Sequence, residues 1–242
     1  MVVSLLILGC AIPMIAAERF WPGSTQPQTR LWLTRAIAST AIQAAIVFLA
    51  ASTWDRWLGN LSLLPGERLG TVGGAAIGYL IITFVYYWWH RARHESPLLW
   101  RWLHQIHHSP ARLELITTFY KHPLEILINS VLNAVILHVL VGITPFAASI
   151  AVALAAIAEL FYHWNIRTPY WLGYFIQRPE SHRVHHRYAY HRNNYSDLPV
   201  WDILFGTFAN PRSSPRRCGF SLHQELEVWT MLTAHNVHRD DA

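Results

Sequence analysis

The sequence predicts an all-α fold. The expected architecture is an integral membrane bundle of about four to five spanning helices, with a histidine-rich helical cap on the cytosolic side. Three observations predict it. Apolar residues make up 52% of the 242-residue chain and charged residues only 14%, against about 25% charged in soluble domains. The apolar residues gather into runs at 2–17, 36–54, 72–89, 124–141 and 145–162, at the short end of the roughly 17–25 residues that cross a bilayer as helix. Trp21, Trp54, Trp57, Trp88, Trp89 and Trp171 flank these runs, as in an aromatic belt at a membrane–water interface.

The first run, Met1 to Ala17, lacks the basic stretch that opens a cleaved signal, so it is expected to remain as a membrane helix. Two linkers follow: 21–30, rich in Pro, Gly, Gln and Thr, and 55–70, which contains Pro65-Gly66. Gly142-Ile143-Thr144-Pro145 interrupts what would otherwise be one long run, so 124–162 is expected to form a helical hairpin. The organisation expected is 1–70 for the N-terminal membrane helices and linkers, 71–210 for a catalytic domain and 211–242 for a C-terminal tail.

The net charge is +5, and 18 of the 19 basic residues are Arg. These Arg residues lie beside the apolar runs, which fits membrane flanks better than nucleic acid, so no nucleic-acid partner is expected. The segments 18–35, 90–123 and 163–242 hold 17 basic residues, whereas the opposite side holds Arg56 and Arg68. Basic residues mark the cytoplasmic side of short loops, so the large polar regions are expected there. Cys10 and Cys218 give no disulfide framework.

Fifteen His residues stand in the chain, and eight fall into three groups: His90 and His94; His104, His107 and His108; His182, His185 and His186. Residues three and four apart share one face of an α-helix, so each group should converge. His90 ends an apolar run, Ser109-Pro110 should end the second group's helix, and Pro179-Glu180-Ser181 should start the third's. Neutral imidazole suits iron, zinc, copper and nickel. Eight imidazoles suffice for two ions with about four each, leaving room for oxygen and water. Two irons could share the electrons that cleave dioxygen and attack a C–H bond. A metal-binding or metal-transport protein and a bis-histidine haem protein are the rival readings. Transporters usually place ionisable ligands within their spans, and a haem needs few His.

The order HxxxH, HxxHH, HxxHH over roughly residues 80–210 resembles the fatty acid hydroxylase/sterol desaturase superfamily of membrane di-iron enzymes. Phe161-Tyr162-His163-Trp164-Asn165 looks like its isolated HxN element, and Lys121-His122-Pro123-Leu124-Glu125 like its HP-x-E element. Asn194-Tyr195 and Trp201-Asp202-Ile203-Leu204-Phe205-Gly206-Thr207 look like its NYG … WDxxFGT stretch, with Ser196 in place of Gly.

The resemblance implies two iron ions, dioxygen as oxidant and a lipid-like substrate. The ligands it implies are His90, His94, His104, His107, His108, His163, His182, His185 and His186. Glu159 stands where some relatives carry a further His and is expected to accept a hydrogen bond from a ligating imidazole, with direct ligation as the alternative. Asn165 is expected to hold a metal-bound water, Asp202 to accept from a cap histidine, and His122 to serve structurally or support a ligand. His138 is expected to be buried, and His191, His223, His235 and His238 to face solvent. Arg91 and Arg93 are expected at lipid headgroups.

The activity expected is hydroxylation of a fatty acyl, sterol, carotenoid or related lipid. A desaturase or ether-lipid monooxygenase on the same scaffold is the alternative, and a non-enzymatic metal-binding membrane protein the bland one. No flavin or iron–sulfur motif is visible, so a separate electron donor (a ferredoxin, cytochrome or reductase) is expected.

Overall fold

The computed structural model describes residues 2–59 and 61–237. The chain is helical throughout, and among the described residues the only strand-type pairing is an isolated bridge between Arg187 and Cys218. The elements that build the site are α1 (Val2–Phe20), α2 (Trp32–Ser52), α3 (Gly70–Glu95), α4 (Gln105–His108), α5 (Pro123–Ala134), α6 (Pro145–His163) and α7 (Pro179–His185).

Four stretches are long and apolar enough to cross a membrane: Trp32–Leu58, Gly66–Glu95, Pro123–Val141 and Pro145–His163. Large apolar side chains such as Phe48, Val72 and Phe146 point outward from them. A bilayer accepts such surface where water would penalise it. The first apolar run is helical, as α1, and is not one of the four. Helix α3 runs well past the expected residue 89, so His90 and His94 lie within the helix itself.

The expected hairpin forms. Helix α5 continues as a π-helical segment, Val135–Val141, and turns at Gly142. Gly142 adopts φ 70°, and a Cβ there would stand 2.2 Å from the Leu64 carbonyl oxygen, so only glycine fits the turn. Thr144 then caps α6 through its side chain, which accepts from the Ala147 amide. Helices α3 and α6 enclose a core with the hairpin turn, formed by Ala75, Ile82, Ile136, Leu137, Ile143, Ala147 and Ala151.

A second core lies in the cap. Ile106 and Tyr120 pack with Trp32 and Ala36 of α2 and with Phe220, Met231 and Val237. Residues 211–237, expected as a tail, therefore fold back over the histidine helices. The Gly219 amide donates to the His186 carbonyl at 2.9 Å and the Phe220 amide to the Ser109 carbonyl at 3.0 Å. Buried Glu225 pairs with Arg35 at 2.6 Å, tying this segment to α2.

Candidate metal centre

Nine imidazoles meet at the junction of bundle and cap, in two groups. His90, His94, His104, His108 and His185 form a group of five, and His107, His163, His182 and His186 a group of four; within each, the candidate ligand atoms lie within 4.8 Å of one another. These are the nine expected residues.

Local helix geometry makes the partition. His90 and His94 stand one turn apart at the end of α3, and His104 and His108 one turn apart across the start of α4. His107 is turned roughly 100° from His108 and so reaches the other group. Helix α7 divides likewise: His182 and His186 join the group of four, whereas His185 joins the five. A π-helical turn, Trp100–His104, precedes α4. Such insertions re-aim side chains and recur at functional sites. Nothing in the spacing pointed to it.

In six of the nine rings the outer nitrogen faces an acceptor. His90 Nδ1 donates to the Tyr195 carbonyl at 2.9 Å, His107 Nδ1 to Tyr120 O at 3.2 Å, His163 Nδ1 to Glu159 O at 2.9 Å and His185 Nδ1 to Asn193 O at 2.7 Å. With its amide correctly oriented, Gln177 accepts from His182 Nδ1 at 2.6 Å. His104 Nδ1 faces the Glu125 carboxylate at 3.2 Å, with Arg93 Nη1 also 3.2 Å away. A carbonyl or carboxylate partner puts the proton on Nδ1 and leaves the Nε2 lone pair facing inward. Burial pushes the pKa of His104, His107, His108, His182 and His186 well down, and that of His185 down to about 3, so these rings are neutral.

The inward nitrogens are what a cation would satisfy. His90 Nε2 lies 2.9 Å from His104 Nε2, and His163 Nε2 lies 3.3 Å from His107 Nε2 and 3.1 Å from His182 Nε2. These are lone pairs facing lone pairs, with no proton to share. Nε2 of His94, His108, His185 and His186 is buried with no partner. Two ligands roughly 2.1 Å from one ion and at right angles stand roughly 3.0 Å apart, which matches these contacts. The donor set therefore fits a pair of imidazole-loving metal ions.

Several supporting residues differ from expectation. Glu159 turns its carboxylate to Lys121, and only its backbone carbonyl meets an imidazole. A carboxylate at that depth is stabilised far more by an ammonium partner than by a neutral ring. Asn165 has its amide engaged with the 21–30 linker, accepting from Ser24 Oγ at 2.9 Å and donating to Ser24 O at 2.8 Å. His122 caps α5 by accepting from the Leu124 amide at 3.1 Å, the structural role. Asp202 touches no imidazole. It accepts from the Tyr195 and Ser196 amides at 2.8 and 3.1 Å and so fixes the loop whose carbonyl holds His90.

Arg91 is half-buried and pairs with Glu95, whereas Arg93 is buried against Glu125 instead of at headgroups. His191 does not face solvent either: it is buried, with Nδ1 3.0 Å from His108 Nδ1. His223 and His235 are exposed, His138 is buried, and His238 lies outside the described residues. Glu125 and Gln177 carry supporting roles that the spacing of the His groups did not assign. The signal for Glu125 was its place in the Lys121–Glu125 motif. Gln177, five residues before His182, left none.

A cavity of about 290 Å³ adjoins both groups. His90, His104, His107, His163 and His182 line it together with Val47, Ile82, Ile126 and Val152 of the spans. Lys121, Glu159, Tyr162 and Asp197 add polar groups near the rings.

A profile of the fatty acid hydroxylase family matches residues 75–207. An ornithine lipid hydroxylase of Rhizobium tropici is 36% identical over 140 residues, covering 56% of this chain and 41% of that protein. The alkylglycerol monooxygenase of Homo sapiens is 29% identical over 196 residues, covering 75% of this chain and 42% of its own. A methylsterol monooxygenase of Aspergillus fumigatus is 30% identical over 168 residues, covering 64% and 53%. The chain thus spans about two fifths to one half of these relatives. No solved structure matches.

Proposed function

Because the chain belongs to the fatty acid hydroxylase family, we propose that it is a membrane-bound, dioxygen-dependent oxidoreductase that hydroxylates a C–H bond of a lipid-like substrate. The nine imidazoles would hold two iron ions. The observation that carries this reading is the inward-facing, unshared Nε2 atoms of both groups. When bound, the irons supply dioxygen activation and the electron transfer needed to attack an unactivated C–H bond. The overall change is R–H plus O₂, two electrons and two protons giving R–OH and water. The electrons come from a separate donor, a ferredoxin, cytochrome or reductase.

The chain's own residues do the rest. Outer acceptors fix the tautomer and aim of the rings they hold, which preorganises the centre before substrate arrives. The span residues of the cavity take an apolar segment of the lipid from the bilayer side and keep water from the rings. Burial pushes the Asp197 carboxyl up to about 7, and Tyr162 hydrogen-bonds to it. Near neutral pH this carboxyl is protonated about half the time, and it can pass a proton to and from the cavity by way of the Tyr162 hydroxyl. The excess of basic residues on the cap side supports a cytoplasmic site, reachable by a soluble or peripheral donor.

The test is turnover with isotopically labelled dioxygen, in membranes with a competent donor and candidate lipids, read by mass spectrometry. One labelled oxygen in a lipid product is the result expected. A new double bond without label would make the chain a desaturase. Label in an aldehyde released from an alkylglycerol would make it an ether-lipid monooxygenase instead. Bound metal with no oxygen uptake on any lipid would overturn the enzymatic reading.

A further inference from the structure

Away from the metal centre, a pocket of about 670 Å³ opens between the 21–30 linker, the start of α7 and the 212–216 loop. Five arginines line it (Arg167, Arg178, Arg183, Arg212 and Arg216), and among the described residues the only carboxylate on its wall is Glu180. That carboxylate is already used. It accepts from the Thr168 amide and hydroxyl at 2.8 and 2.7 Å and pairs with Arg178 at 3.1 Å. Arg178 is likewise committed, donating to Thr168, Asn210 and Pro211. These two form a neutral floor.

The other four cations have no carboxylate on that wall. Arg183 is 6% exposed, and its Nε is buried with no partner. Arg212 lies over the Tyr170 ring at 4.7 Å, which positions its guanidinium without neutralising it. Like charges crowded at a partly buried site repel unless an anion joins them. Guanidinium groups favour oxyanions that accept two parallel hydrogen bonds, and Ser213 and Ser214 place hydroxyls on the same wall.

The pocket's place in the fold says where the anion comes from. Arg167 stands four residues beyond the end of the α6 span, and Gly23 three residues beyond α1. Trp21, Trp171 and Phe175 are exposed at 74%, 61% and 70% along the same margin. Exposed aromatic rings mark the depth of lipid headgroups. We propose that this pocket is a binding site for a phosphate-class oxyanion, the phosphodiester of an anionic membrane lipid or free phosphate. The site is separate from the metal centre. It reaches the centre's surroundings through Arg183, which sits between His182 and His185 on α7.

The test uses the full chain in detergent micelles, the double variant Arg212→Gln/Arg216→Gln, and a control of equal charge loss at exposed arginines elsewhere on the cap, Arg101→Gln/Arg217→Gln. Native mass spectrometry measures binding of a short-chain phosphatidylglycerol, and thermal unfolding measures stabilisation by inorganic phosphate. The double variant should bind the lipid roughly thirtyfold more weakly, about fivefold for each arginine lost, with the control near wild type. That outcome assigns the site to a lipid headgroup. Stabilisation by inorganic phosphate that the double variant alone loses assigns it to the free anion. Equal loss in variant and control, or no loss in either, overturns the proposal. Arg212 and Arg216 are exposed, so folding of the double variant is expected and is checked by the same melting curve.

Discussion

The two imidazole groups are drawn from the same short motifs, yet they are held differently. In the group of five, His104 leans on the buried Glu125 carboxylate, itself paired with Arg93. In the group of four, every outer partner is neutral: the Tyr120 and Glu159 carbonyls and the Gln177 amide. A carboxylate behind an imidazole makes it a stronger ligand. Five ligands, one of them backed by a carboxylate, leave an ion fewer open positions than four backed only by neutral groups. If both groups hold iron, the first is the better anchor and the second the better place for an incoming oxygen or water.

The largest effects should come from the rings themselves. His185→Ala in the five and His107→Ala in the four should each abolish turnover and lower bound iron, measured by product analysis and elemental analysis. Full activity in either variant would break the two-group description. Next comes Glu125→Gln, which strands the Arg93 guanidinium in the interior and should lower stability by about 3–5 kcal/mol, read as a shift in unfolding midpoint. Adding Arg93→Gln should recover much of that stability, while metal affinity stays about 10–100-fold weaker because His104 lacks its carboxylate. Gln177→Leu tests the other group. It should weaken one ion by a factor within the same range and leave the midpoint nearer wild type.

Acid should act on the metal-free protein in a defined direction. His185 titrates at about 3 when folded, against roughly 6.5 when unfolded. Between those values the unfolded chain binds the extra proton, so stability is full above about pH 6.5 and declines as pH falls toward about 3. His104, His107, His108, His182 and His186 shift in the same direction and steepen the decline. A melting temperature that rose on acidification would contradict the neutral, inward-facing rings. The smallest effect is reserved for His122→Ala. It removes a helix cap worth about 1 kcal/mol and should leave metal content unchanged.

Much of this was legible in the sequence because it depends on period and spacing. Apolar runs gave the spans, Gly142–Pro145 the hairpin, and the HxxxH and HxxHH spacings the converging rings. The roles of Glu159, Asn165 and Arg93 were not legible, since each depends on which distant side chain lies opposite. Lys121 lies 38 positions from Glu159, and Ser24 lies 141 positions from Asn165. His191 escaped because no helical partner marks it. It reaches His108 from a loop residue at φ 46°. The covering role of residues 218–237 was hidden because that segment has neither a motif nor a long apolar run, only single anchors such as Phe220 and Met231.

The interleaving of ligands on α4 and α7 has a consequence for assembly. Each helix contributes to both groups, so neither group can be completed without seating the elements that complete the other. If the groups bind ions, capture of the first would bring the second set of rings into register. Titration of the metal-free protein should populate empty and doubly loaded molecules, with singly loaded ones scarce. The centre would then fill as one cooperative unit instead of two independent sites.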